Sequence, residues 1–141
     1  MVTTKQELAF RSKYEERIWK HAKADGITVE YEPVKVGYAH PVHRGTCRKC
    51  GAMNSVTRPS TYIPDFGLAN GTYVEAKGKF TPANRTRMLA FRDARPDMTV
   101  RILFQRDNWL TKKHKTKYSD WAEAHNFDYA IGDRIPRDWA R

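Results

Sequence analysis

Cysteine is scarce, with two in 141 residues, too few for the disulfide framework of a small secreted domain. Long apolar runs are also missing. No stretch approaches the ~18 apolar residues of a membrane-spanning helix, so no membrane partner is expected. The segment from Met1 to Arg17 is charged where a secretory signal would be apolar, and the expected location is the cytoplasm. There is no internal repeat and no low-complexity tract, which removes solenoids and biased tails. Acidic residues are the remaining shortage: Asp and Glu number 16 against 26 Lys and Arg, a formal net charge of +10. Such an imbalance costs self-repulsion, and a polyanionic partner is its leading explanation.

What is present suffices for a fold. Hydrophobic residues make up 40% and aromatics 12%, and a chain of this length buries about 68% of its unfolded surface. A single domain over 1–141 is expected. Phe10, Tyr14, Ile18 and Ala22 recur every fourth position and predict a helix over 6–24, stopped near Gly26. Ile27 to Tyr31 alternates and predicts a strand; Val34 to Tyr38 reads as a second, short one. Residues 39–60, with two prolines, two glycines and little apolar content, read as a loop or insertion. Strand character resumes at Thr61, turns at Asn70-Gly71 and returns as Thr72–Lys77. Thr81-Pro82 opens a helix over 82–94. A strand at Val100–Phe104, a basic loop over 105–118, a short helix over 120–125 capped by Ser119 and a last strand at Phe127–Ile131 follow. The sum is a mixed α/β class, with a meander of three or four strands.

The chemistry is concentrated in Pro64-Asp65, nine residues, then Glu75-Ala76-Lys77. On a hairpin, Asp65 and Glu75 face each other across the strand pair, and oxygen-only ligands there suit a hard ion such as Mg²⁺ or Mn²⁺. Lys77 shares the face of Glu75, because strand side chains alternate. Two carboxylates and a lysine around such an ion form an assembly for hydrolysing phosphodiesters. Glu15, on the first helix, is placed to add a third carboxylate. The competing reading is that these are solvated charges on an exposed strand, since short motifs recur by chance.

A longer set of segments matches a known family. Phe10-Arg-Ser-Lys-Tyr-Glu15, Gly26 to Glu32, Tyr62-Ile-Pro-Asp-Phe66, Tyr73 to Gly78, Arg101 to Phe104, Lys117 to Trp121 and Ile135 to Trp139 resemble, in the same order, the phage endonuclease I family. These are Holliday-junction resolvases of the PD-(D/E)xK nuclease superfamily. The resemblance implies a restriction-endonuclease-like core, with a central mixed sheet flanked by helices. It implies an intertwined, segment-swapped homodimer with composite sites, and a structure-selective endodeoxyribonuclease that cuts four-way junctions and other branched DNA symmetrically. Asp65 and Glu75 match the family's metal carboxylates, Lys77 its catalytic lysine and Glu15 its helix carboxylate, with Glu16 as runner-up. Ala76 would offer a backbone carbonyl, and two Mg²⁺ per site are implied. No small-molecule cofactor is expected, and a phage-encoded protein would work in the host cytoplasm.

Outside that site, Lys112, Lys113, His114, Lys115 and Lys117 form a dense basic loop read as a DNA-backbone contact. Arg11, Lys79, Arg85, Arg87 and Arg92 are further candidates for phosphates. His40, His43, Cys47 and Cys50 make a complete donor set for a structural Zn²⁺, in a stretch that the family's shortest members lack. The alternative to an enzyme is a non-catalytic, basic DNA-binding protein with a small zinc-binding loop.

Overall fold

The computed structural model describes residues 9–46, 48–51 and 53–141, the side chains of 42–44, 46 and 53–55 excepted. In chain order the elements are helix α1 (Lys13–Ala24), strands β1 (Val29–Tyr31), β2 (Val36–Thr46), β3 (Met53–Tyr62), β4 (Phe66–Leu68) and β5 (Tyr73–Lys77), helix α2 (Pro82–Ala94), strand β6 (Val100–Phe104), helix α3 (Tyr118–Ala124), strand β7 (Tyr129–Ile131) and a closing 3₁₀ turn (Arg137–Ala140). The mixed α/β class holds. One sheet has the order β1-β4-β5-β6-β7, and β2 and β3 form a second, two-stranded sheet.

The main sheet is not a simple meander. β1, β4 and β5 pair antiparallel, but β5–β6 and β6–β7 pair parallel. Parallel neighbours need a crossover, and α2 and α3 supply the two crossovers. The strand β6 shows why helices lie on both sides. Leu103 joins a core with Tyr14, Ile18 and Ala22 of α1, while Ile102 and Phe104 join one with Met88 of α2 and Trp121 of α3. Alternation along one strand thus builds two apolar layers, each fully buried residue contributing about 1.5–3 kcal/mol.

Helix α1 starts later than its periodicity predicts, at Lys13, because the Ser12 side chain accepts the N–H of Glu15 at 3.2 Å and caps it. Phe10 lies before the helix and packs on Trp19 and Tyr31; residues 6–8 of the predicted helix fall outside the described residues. Ser119 is not the cap of α3. Its N–H and hydroxyl both go to Asp107, at 2.9 and 2.6 Å, and Lys117 takes the N-cap position.

The larger correction concerns residues 39–60. They belong mostly to a long antiparallel hairpin, β2–β3, whose register runs from Val36↔Tyr62 to Thr46↔Met53. Its base packs on the rest of the chain, with Val36, Tyr38 and Tyr62 against Ala90 and Phe91 of α2. Farther out, exposed side chains have no reason to alternate in polarity, so the strand signal is weak in the sequence. Both strands are edges, which is why Pro41 and Pro59 are tolerated within them.

Candidate active site

Asp65 follows buried Pro64 and stands one residue before β4. The β4–β5 register is Phe66↔Val74 and Gly67↔Tyr73, and one more step sets Asp65 opposite Glu75. The turn fixes that register: Asn70 Oδ1 accepts the N–H of Thr72 at 3.0 Å, and Leu68 O accepts the N–H of Gly71 at 3.1 Å. Beyond the last β4 pair the Asp65 carboxylate replaces the ladder, accepting the N–H of Ala76 through Oδ2 at 2.8 Å. Lys77 Nζ reaches Glu75 Oε1 at 3.0 Å.

Glu15 completes the group from α1. It is 7% exposed and lines the same cleft, of about 400 Å³, as Asp65, Glu75 and Lys77. Glu16 is turned to Lys20, 3.1 Å away on the same helix. The structure therefore places Glu15, and not its neighbour, among the cleft residues. All four expected catalytic side chains come together here.

The electrostatics are those of carboxylates short of positive charge. Asp65 is pushed up to about 9, first by burial, then by the charge of Glu75 and by hydrogen bonding to Glu15, against the opposing N–H of Ala76. Two tyrosines answer part of this demand with neutral donors. Tyr62 donates its hydroxyl to Glu75 Oε2, and burial followed by the Glu75 charge holds that phenol well above its ordinary range. Tyr31 donates to Glu15 Oε2 at 3.2 Å, and burial pushes it up to about 12.

Several of these partners are not evident from the motif alone. Tyr62 lies three residues before Asp65 in Tyr-Ile-Pro-Asp, and the only sequence sign of its role is that closeness. Asn84, in the first turn of α2, accepts from Lys77 Nζ and from Arg87 at 3.4 Å each. Ser12 donates to Glu15 at 3.3 Å.

The basic candidates separate. Arg11 and Arg87 line the cleft, Arg11 with its guanidinium 2.7 Å from Glu32. Arg85 is drawn to the carbonyl of Phe80 at 2.6 Å and lies over that ring. Arg92 donates to the carbonyl of His125 and covers Phe127; both are occupied within the fold. Lys79, Lys112, Lys113 and Lys115 are exposed and outside the cleft lining. His114 stacks on Trp109 with centroids 5.2 Å apart, and Lys117 Nζ lies 5.0 Å from the same ring.

Two of the proposed zinc donors can be placed on the hairpin. His40 sits in mid-strand opposite Arg58, and Cys50 lies in the turn beyond Thr46. Six extended residues from His40 to Thr46 span roughly 20 Å, so His40 and Cys50 are not brought together. Cys47 and the side chain of His43 fall outside the described residues. Among the described residues no three His, Cys, Asp or Glu groups stand close enough to hold one ion.

Fold and site together define an α/β protein with a cleft in which three carboxylates meet a lysine and two arginines, within a strongly basic chain. The chain belongs to the phage endonuclease I family, whose model matches residues 1–141. It is 34% identical over 134 residues to Endonuclease I of Escherichia phage T7, covering 94% of this chain and 79% of that protein. It is also 29% identical over 126 residues to Endodeoxyribonuclease 1 of Enterobacteria phage T3, covering 89% of this chain and 73% of that one.

Proposed function

We propose that this chain is a metal-dependent, structure-selective endodeoxyribonuclease that resolves four-way junctions and other branched DNA by hydrolysing phosphodiesters. Family membership supports a DNA-cutting nuclease. The observation that carries the site assignment is the convergence of Glu15, Asp65, Glu75 and Lys77 in one cleft.

The donor set fits Mg²⁺ or Mn²⁺. It consists of hard carboxylate oxygens, and Asp65, raised first by burial and then by the charge of Glu75, stands where a cation would favour its ionised form. Asp65, Glu75 and the Ala76 carbonyl would hold one ion, and Glu15 with Asp65 a second; pairs of carboxylates suffice for this, the remaining positions going to water. When bound, such ions polarise the phosphate and lower the pKa of coordinated water. Lys77 keeps an ammonium beside the carboxylates, where it orients a phosphate oxygen or the attacking water. Asn84 limits the swing of that ammonium, and Arg11 and Arg87 present guanidinium groups to the DNA backbone at the cleft mouth.

Symmetric cutting of two strands follows from a twofold homodimer with two such clefts. The β2–β3 hairpin, standing outside the main sheet, is the segment available for exchange between protomers around a restriction-endonuclease-like core. The basic loop at Lys112–Lys117 would hold backbone phosphates at a distance from the cleft. Elemental analysis of the purified protein tests the structural Zn²⁺ expected from the His40, His43, Cys47 and Cys50 donor set. The expected place of action is the host cytoplasm.

The deciding experiment sets a synthetic four-way junction beside a matched linear duplex, with and without Mg²⁺. Paired cuts in the junction, dependent on the cation, are expected. Binding without any cutting in Mg²⁺ or Mn²⁺ would replace this reading with a non-catalytic junction-binding protein. Equal cutting of the duplex would remove the structure selectivity.

A further inference from the structure

The geometry points to Tyr62 as a positioning residue: its hydroxyl clamps Glu75, and through it the base of the β2–β3 hairpin sets the competence of the cleft. This rests on the nuclease reading above. Glu75 is 6% exposed and held from two sides, Oε1 by Lys77 Nζ at 3.0 Å and Oε2 by the Tyr62 hydroxyl. A carboxylate with both oxygens assigned has little freedom to turn. Partners of this kind orient a metal-binding carboxylate without touching the substrate.

Tyr62 is itself fixed by the hairpin and by α2. It is the last residue of β3, paired with Val36 of β2. Its ring lies 4.4 Å from that of Phe91, which in turn meets Tyr38 edge-on at 5.3 Å. The hydroxyl therefore reaches Glu75 only while the hairpin base sits on α2. An element outside the main sheet is in this way coupled to a carboxylate on β5.

The test is Tyr62→Phe, which removes the donor and keeps the ring. Cleavage of a junction under single-turnover conditions should fall about 10–100-fold. The affinity for Mn²⁺, titrated calorimetrically without DNA, should weaken in the same variant, while junction affinity in EDTA stays within about twofold of wild type, since no DNA-facing charge changes. Phe91→Leu keeps the hydroxyl but loosens its seat, and should show a smaller loss of the same kind, assayed well below its melting temperature. Wild-type cutting and wild-type Mn²⁺ affinity in Tyr62→Phe would overturn the clamp; wild-type behaviour of Phe91→Leu would overturn the coupling to the hairpin. If the wild-type protein cuts no DNA, the nuclease reading fails, and the Mn²⁺ titration still decides whether Tyr62 positions Glu75.

Discussion

Asp65 accepts the backbone N–H of Ala76 at 2.8 Å, the side chain of one strand end standing in for a missing ladder bond on the next. That bond keeps Asp65 facing Glu75, yet it does not offset the cost of burying the charge. Burial, then the charge of Glu75, pushes Asp65 up to about 9 in the folded chain from the ordinary 3.8. Between those values the folded state binds more protons than the unfolded one, so this group's contribution to stability falls as pH rises from about 4 to about 9. Asp65→Asn keeps an oxygen for the Ala76 N–H and cannot ionise. Without divalent cations it should therefore melt higher than wild type at pH 8, by at least about 1 kcal/mol or roughly 3–4 °C, with no gain near pH 4. Thermal melts across pH check this, and a gap that does not widen with pH would contradict it. Added Mg²⁺ should narrow the gap, since only wild type gains a bound ion.

Lys77 supplies the ammonium nearest to Glu75, at 3.0 Å. Lys77→Met keeps the aliphatic stem and removes the charge. The single-turnover rate of junction cleavage should drop by about 10²–10⁴-fold. Junction affinity in EDTA should change little, because one charge in a chain of +10 is a small part of backbone attraction. A gel-shift titration beside the rate measurement separates the two effects. A variant that loses binding as much as cutting would make Lys77 a DNA anchor and not part of the reaction.

The carboxylates and the lysine were legible in the sequence because they depend on local geometry. A tight Asn70-Gly71 turn sets the register, the register sets Asp65 against Glu75, and alternation sets Lys77 beside it. Glu15 needed one tertiary step, the packing of α1 on the sheet, and the family's order of segments pointed to it. Tyr62, Tyr31 and Asn84 were not legible, since a hydroxyl or amide shows no role until the acceptor it meets is known. For Arg85 and Arg92 the sequence records the charge but not the carbonyls of Phe80 and His125 to which each donates. The β2–β3 hairpin was hidden because periodicity reports burial, and among its described residues few side chains beyond the base are buried.

Gly67 lies in β4, at the centre of the strand that leads out of Asp65. A Cβ built there would sit 2.8 Å from Cγ of Pro33, a ring with little freedom to move. Gly67→Ala should destabilise the fold by about 1–3 kcal/mol through overpacking. Because β4 also carries the register of Asp65, Mn²⁺ affinity should weaken together with stability. Chemical denaturation and calorimetry on the same preparation test both. A neutral Gly67→Ala would mean that β4 and Pro33 can separate without cost.

The loop from Trp109 to Lys117 is small but internally braced. Leu110 N–H bonds to the carbonyl of Thr116 at 2.8 Å, His114 N–H to that of Thr111 at 3.2 Å, and Trp109 bridges to Lys117. Lys112, Lys113 and Lys115 project from this frame and are exposed. If they rest on phosphates, replacing all three with alanine removes three counterion-releasing contacts. The slope of log affinity against log salt should become shallower by roughly 2–3, at about 0.9 per phosphate contact. The folded structure should be unaffected, since exposed lysines contribute little to stability. Cleavage at saturating DNA should also stay near wild type, because the loop residues do not line the cleft. An unchanged salt slope would make the loop a solvated surface, and the search for DNA contacts would then turn to Arg11 and Arg87 at the cleft itself.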